Sequence, residues 1–202
     1  EWKRLVDLKT WDENRVEEWG RVAARHRQSG TKAHIGRVFE LCVEKGSELA
    51  AGNPARKYKG RSVYQGNQVK DEHGLAAVFE DLGSSPAAME SSKILDFYGL
   101  INGNHTEIAD ATQAYCQAHL QCKAETWVRL PKDRWPKSWA GKYIDPVVPL
   151  RLALYGHPES GGWWERHLEK HLFSEGWKPV PEWRSLSLIH ISRAHETDSY
   201  LV

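Results

Sequence analysis

The sequence predicts an α+β fold in which helices pack on an antiparallel sheet. Helical and strand periodicities intermix without the strict alternation of a doubly wound parallel sheet, and two neighbouring strand candidates are joined by a polar turn. The chain has 202 residues, 40% hydrophobic and 10% aromatic, which supports a real core in one large or two small domains.

Trp11 to Gln28 carries Trp11, Val16, Trp19, Val22 and Ala23 at mostly helical spacing among charged residues. This predicts an amphipathic surface helix ended by Ser29-Gly30. Ile35, Val38, Phe39, Leu41 and Val43 predict a strand; the polar stretch Glu48 to Pro54 turns the chain into a second strand, Arg56 to Tyr64, and the two form a hairpin. Ser84-Ser85-Pro86 starts a helix with Pro at its first position, and Met89, Ile94, Leu95, Tyr98 and Leu100 carry it to a stop at Asn102-Gly103. A short apolar run then leads to Asp110. Ala114 to Leu120 reads as a short helix, Thr126 to Leu130 as a strand, and the Pro- and Trp-rich stretch Pro131 to Pro149 as a long loop. Leu150 to Tyr155 and Trp163 to Phe173 read as helical, followed by a strand at Trp177 to Trp183.

Charge gives no global pull towards nucleic acid or membrane, because 28 Lys and Arg face 27 Asp and Glu. Any basic site is local. Arg56, Lys57, Lys59 and Arg61 place four cations within six residues, interleaved with Tyr58. They read either as a nucleic-acid contact or as the Lys guard of a solvated edge strand. Cys42, Cys116 and Cys122 are an odd count without framework spacing, which fits a reducing, intracellular setting, cytoplasmic or nuclear. No stretch approaches the ~20 apolar residues of a membrane span, no signal peptide stands out, and a start at Glu1 fits a piece of something longer.

Asp110 stands between Ala109 and Ala111 with a helix-like segment behind it. A carboxylate in apolar company needs a cation or hydrogen-bond donors, so it reads either as a metal ligand or as a helix N-cap for the amide of Gln113. Two other sets have ligand-like spacing: Cys116, His119 and Cys122, and His167 with His171 at i and i+4. Neither has the rest of a site, and ordinary helix packing explains both. Phosphate-loop and Gly-flanked nucleophile motifs are absent from the sequence.

Four segments in order resemble the reverse transcriptase of copia-type retrotransposons. They are Arg56 to Asn67, Asp110-Ala111-Thr112-Gln113-Ala114-Tyr115, Thr126-Trp127-Val128-Arg129-Leu130-Pro131, and Ala153-Leu154-Tyr155-Gly156 with Trp163-Trp164 after it. The family pattern is a KARLVAQG-like strand, a DVKTAFL-like segment, a YM-x-x-P-like strand and an ALYGLKQ-like turn before a Trp. The resemblance spans about Lys32 to Ser185. It implies an incomplete right-hand polymerase, fingers plus partial palm, and an RNA-directed DNA polymerase activity within a Pol polyprotein. The intact enzyme would use Mg²⁺ or Mn²⁺, with an RNA or DNA template-primer and deoxynucleoside triphosphates as partners. By the same resemblance Asp110 is the first catalytic metal ligand. Lys59 and Arg61 meet the incoming triphosphate, and Tyr115 is the bulky group that excludes a ribose 2′-hydroxyl. Gly156 lies near template and nucleotide, and Arg56 and Lys57 touch nucleic acid.

Two departures matter. Glu159 stands where the family turn has Gln, and the Tyr-x-Asp-Asp hairpin with the other two carboxylates is absent from the sequence. In its place Leu186 to Ser192 resembles a translation of the transposase end of a sequencing-library adapter. Arg193 to Thr197 fits the adapter's continuation with one inserted base, and Tyr200-Leu201-Val202 its next constant bases. The expected organisation is a helical lead-in over 1–31, fingers and partial palm over 32–185, and adapter read-through over 186–202. A chain so truncated is expected to be inactive alone. The alternative is a non-catalytic fragment that holds single-stranded nucleic acid through the basic hairpin and exposed Trp residues, or a merely structural one.

Overall fold

The computed structural model describes residues 1–80, 88–101, 110–179, 187–191 and 197–201. The chain divides into two compact units, one of Glu1–Leu82 with Tyr115–Trp163 and one of Gly83–Ala114 with Trp164–Val202.

The first unit begins with helix α1 (Trp2–Asp7), which the sequence reading left unassigned. Trp11 does not start a helix. It is pinned in a bridge to Leu150, and Asp12 accepts from the Asn14 amide at 3.1 Å to cap a single tight turn. After the short strand β1 (Glu17–Glu18), helix α2 (Trp19–Ser29) begins eight residues later than the periodicity predicts. It stops where expected: Gly30 takes the left-handed conformation (φ 67°) that an L side chain disfavours.

Strands β2 (Ala33–Lys45), β3 (Lys57–Tyr64), β4 (Lys70–Asp71), β5 (Glu125–Arg129) and β6 (Pro146–Pro149) complete a sheet of order β1-β6-β5-β2-β3, with β4 also on β2. The predicted hairpin is β2 with β3, antiparallel from Val38↔Tyr64 to Lys45↔Lys57. A wholly antiparallel sheet is not what forms: Ala33–Arg37 of β2 runs parallel to Glu125–Arg129 of β5. Parallel neighbours need a long connection, and the intervening chain supplies it.

Both faces of the sheet are covered. Val22 of α2 packs with Ala33, Ile35, Trp127 and Val147 on one side; on the other, Leu5, Trp11, Val38, Tyr64, Val128 and Val148 join a second cluster. Two-sided burial explains why Thr126-Trp127-Val128 is buried throughout rather than alternating.

Two predicted elements are overturned here. Pro131–Pro149 is not all loop, because Val147-Val148 pairs with β1 and β5 while the prolines sit at the ends of β6; the Pro149 carbonyl still accepts from Asp12 N at 3.1 Å. Leu150–Tyr155 is extended, not helical. Leu150 N donates to Thr126 O at 2.8 Å, Arg151 N to Thr10 O at 2.8 Å and Ala153 N to Ala118 O at 2.9 Å. The short helix at Ala114–Leu120 shrinks to one 3₁₀ turn, Ala114–Gln117.

In the second unit, helix α3 (Met89–Gly99) matches the predicted helix in its middle, while the Ser84-Pro86 start and the Asn102-Gly103 stop lie outside the described residues. Helix α4 (Ser160–Ser174) begins at the end of the first unit and contains the predicted Trp163–Phe173. The strand expected at Trp177–Trp183 is described only as β7 (Lys178–Pro179), which pairs with β8 (Ser187–Ile191), itself paired with β9 (Thr197–Leu201). The β propensity of Leu188, Ile189 and Ile191 suits such a strand whatever the origin of the segment. Among the described residues no helix is long and apolar enough to cross a membrane.

Candidate nucleic-acid interface

Only the first five residues of β2 pair with β5, so beyond Val38 the β2–β3 hairpin continues as a two-stranded ribbon. Leu41, Val43 and Tyr58 on it are 45%, 58% and 76% exposed. Directly opposed residues share a face, and the register opposes Leu41 to Arg61, Val43 to Lys59 and Lys45 to Lys57. One face of the ribbon therefore presents Lys45, Lys57, Lys59 and Arg61 around Leu41 and Val43. The other carries Glu40, Cys42, Glu44, Tyr58 and Ser62.

The carboxylates of that second face are already matched. Arg56 forks onto Glu44 with Nε and Nη2 at 2.9 and 3.0 Å and reaches the Leu49 carbonyl at 3.2 Å; Arg134 forks onto Glu40 at 2.8 and 3.2 Å. Such bidentate pairs fix geometry as well as charge. Arg56 thus closes the hairpin through Glu44 and the Leu49 carbonyl. Lys57 and Lys59 stay exposed, with no ion pair among the described residues.

Arg61 leads to the centre of the candidate site. Its guanidinium carbon lies 5.8 Å from the Tyr155 ring centroid, and Tyr155 packs against Tyr115 at 4.5 Å between centroids, 41° between planes. Gly156 locks this cluster onto the end of β3. Tyr64 N donates to Tyr155 O at 2.7 Å, and a Cβ on Gly156 would lie 2.1 Å from Tyr64 O, at a φ of +89°. Gly66 closes in from the other side, where a Cβ would come 2.1 Å from Gly156 O. Gly156→Ala is therefore expected to destabilise the first unit by about 1–3 kcal/mol from the left-handed backbone alone, with the clash added. The check is urea unfolding of both chains; an unchanged midpoint would show that the turn has another conformation.

Behind the turn lies a group of buried polar side chains that the sequence reading missed. Tyr64, His34 and His157 are 1%, 5% and 4% exposed, and the His157 ring sits 4.9 Å from Tyr64 and 5.4 Å from Phe79, which also touches His34 at 4.8 Å. Burial, reinforced by His34, drives His157 down to about 3; burial also lowers His34 and raises Tyr64 out of reach of ordinary pH. A lone His in a sequence gives no signal of this kind. The pairing becomes visible only when β2 and the turn after Tyr155 meet.

Asp110 belongs to the second unit and is exposed, so the cost of burial that first made it notable does not arise here. Lys59, Arg61, Tyr115 and Gly156 all belong to the first unit. Cys116, His119 and Cys122 do not share a helix face: Cys116 is buried in the 3₁₀ turn, while His119 is in an extended bridge to Leu152. Burial pushes the Cys116 thiol up to about 11 and the Cys122 thiol higher still, leaving neither a ready thiolate. Among the described residues, no three of His, Cys, Asp and Glu are grouped to hold a metal. None of the described Trp residues is exposed, so stacking on open Trp is not available to the fragment-binding alternative. No protein-family model, curated protein or solved structure matches the chain.

Proposed function

We propose that this chain is the fingers and part of the palm of a copia-type RNA-directed DNA polymerase, a template-directed nucleotidyl transferase in its intact form. One observation carries the reading: Arg61, Tyr115 and Tyr155-Gly156, from three motif segments far apart in sequence, meet in one cluster. The cationic ribbon face beside them supports it. Arg61 and Lys59 suit a triphosphate, the first as a planar fork and the second as a mobile point charge. Tyr115, half-buried against Tyr155, is held where a bulky ring can limit what lies next to it.

Divalent ions would supply activation of the primer hydroxyl and neutralisation of the leaving pyrophosphate. Asp110 offers one exposed carboxylate, which does not fit a two-metal centre by itself, and no step through metals is assigned to this chain. The reading expects the other carboxylates from a Tyr-x-Asp-Asp-like segment of the parent gene. Sequencing the source DNA past the codon for Ser185 tests this directly. An open frame running on for a hundred codons or so without such a segment would sink the reading.

The ribbon gives a second test. Replacing Lys57, Lys59 and Arg61 by Gln should weaken binding of a primer-template and flatten its salt dependence by roughly two units of log K per log salt, as lost phosphate contacts do. Fluorescence anisotropy over a salt series measures both. Unaltered slope and affinity would assign these cations to edge protection only. Plain single-stranded binding is the second reading, in which Tyr58, 76% exposed on the opposite face of the same ribbon, rather than Trp, would be the stacking ring. Primer extension by the parent separates the two.

A further inference from the structure

The turn that carries Tyr155 runs from Leu154 to Ser160 and is closed at its base by one side chain. The Ser160 hydroxyl donates to Leu154 O at 2.8 Å and accepts from Leu154 N at 2.9 Å. Both residues are only 1% exposed, so water does not compete for these bonds. Backbone bonds complete the closure: His157 N donates to Leu154 O and Ser160 N to His157 O, each at 3.1 Å. Leu154 N has no second acceptor among the described residues. A hydroxyl donates and accepts through a single atom, which is what the buried N–H and C=O of one residue require here.

Leu154 O belongs to the peptide group before the Tyr155 Cα, and Tyr155 O to the one after it. Ser160 Oγ pins the first, and Tyr64 N pins the second at 2.7 Å. Peptide groups are planar, so fixing both of them fixes the direction in which Tyr155 projects. Its ring is thereby set 4.5 Å from that of Tyr115 and 5.8 Å from the Arg61 guanidinium carbon. Tyr155 is 37% exposed, so its surroundings do not enclose it, and the backbone anchors matter the more.

We propose that Ser160 is a positioning residue for sugar selection: by fixing the base of the turn it holds Tyr155 as the backing of Tyr115, the ring that limits what lies at the ribose 2′ position. This rests on the polymerase reading. Ser160 is buried and acts through Tyr155, not by touching a nucleotide. Without its hydroxyl, Leu154 N loses its partner and Leu154 O keeps only His157 N, so the turn gains room to shift and Tyr115 loses a fixed wall.

The test is made in the full-length parent, by steady-state primer extension with a deoxynucleoside triphosphate and with its ribonucleoside counterpart. The readout is the deoxy-to-ribo ratio of kcat/KM, which does not depend on how much of the enzyme is folded. Ser160→Ala is expected to lower this ratio at least about threefold, the scale of one lost hydrogen bond. Tyr155→Leu should lower it as far or further. Ser160→Ala added to Tyr155→Leu should then lower it no more, because both act through one ring. Should Ser160→Ala not fold, Ser160→Cys takes its place; a thiol is a weaker donor and acceptor, and a drop in the same direction is expected. An unchanged ratio in the Ser160 variant, or effects of Ser160→Ala and Tyr155→Leu that multiply, would overturn the proposal. Tyr115→Ala separates that failure from failure of the polymerase reading, since it lowers the ratio whenever Tyr115 faces the sugar, whatever Ser160 does. An unchanged ratio in Tyr115→Ala, or a parent that extends no primer, would overturn the reading and the proposal with it.

Discussion

Replacing Asp110 by Asn in the full-length parent is expected to reduce primer extension by more than ~100-fold while leaving template-primer binding intact. The margin follows from chemistry. Loss of an outer-shell partner of a metal ligand already costs about 10- to 100-fold, and a direct ligand stands closer to the reaction. Asn keeps the shape of the side chain and one oxygen but loses the negative charge that a divalent ion requires. Asp110 is exposed, so the substitution removes no buried side chain. Circular dichroism and thermal unfolding should therefore match those of the unmodified protein, so any loss of activity belongs to the site. Extension at the unmodified rate would remove Asp110 from catalysis and leave the motif order without its central member. The isolated chain, with one such carboxylate, is expected to extend no primer at all; extension by the purified fragment would count against the whole scheme.

How much of this was legible in the sequence varies by element, and the reasons are physical. The β2–β3 hairpin was legible because its signals are local: alternation through Ile35–Val43, a polar turn, and a second strand directly after it. The register was not. It sorts Lys45, Lys57, Lys59 and Arg61 to one face and gives Arg56 to Glu44, and it depends on how the loop closes. Strand β6 was hidden because prolines at its ends mimic a loop, while its pairing partners, Glu17-Glu18 and Trp127-Val128, lie far away in the chain. Leu150–Tyr155 was misread for the complementary reason. Leu150 and Leu154 have helical spacing, yet the carbonyls of Thr10, Ala118 and Thr126 take up the amides of Arg151, Ala153 and Leu150. Tertiary partners override a local preference that is worth only tenths of a kcal/mol per residue.

At the candidate site, motif order pointed to Arg61, Tyr115 and Gly156 individually. What it did not provide was Tyr155 as the ring that joins Arg61 to Tyr115, or the close approach of Gly156 to Tyr64 that fixes the turn. Contacts of this kind follow from chain tracing in three dimensions, and a residue's neighbours in sequence carry little information about them. Arg15, Thr126 and Arg151, which line one cavity of the first unit, are the extreme case: they belong to no common motif, and only paired backbone brings them together.

The cluster behind the turn makes the first unit acid-labile well above the usual carboxylate range. Glu159 N donates to His157 Nδ1 at 3.2 Å, so the neutral ring carries its proton on Nε2, and protonating Nδ1 would set two donors against each other. Burial, with the neighbouring His34 acting in the same direction, holds His157 at about 3 against an ordinary 6.5. The unfolded chain therefore takes up a proton near pH 6.5 that the folded chain refuses until about pH 3. Stability contributed by the neutral ring is fully present above pH 6.5 and is lost as pH falls from there towards 3. By about pH 4.5 the loss from this one group should be on the order of 2–3 kcal/mol, and the depressed His34 adds in the same direction. The groups that act on the pair are Tyr64 and Phe79 by contact, and Glu159, Glu72, Asp71 and Lys32 by charge on His34. Glu72 and Glu80 are themselves held below the ordinary carboxylate value, so their stabilisation is lost only at lower pH. Urea unfolding at a series of pH values separates these contributions. The expected curve for the unmodified chain falls by about one to two protons' worth of slope below pH 6.5, and His157→Gln flattens it by about one. A curve flat between about pH 6.5 and 4.5 would mean that both rings reach water in the folded state.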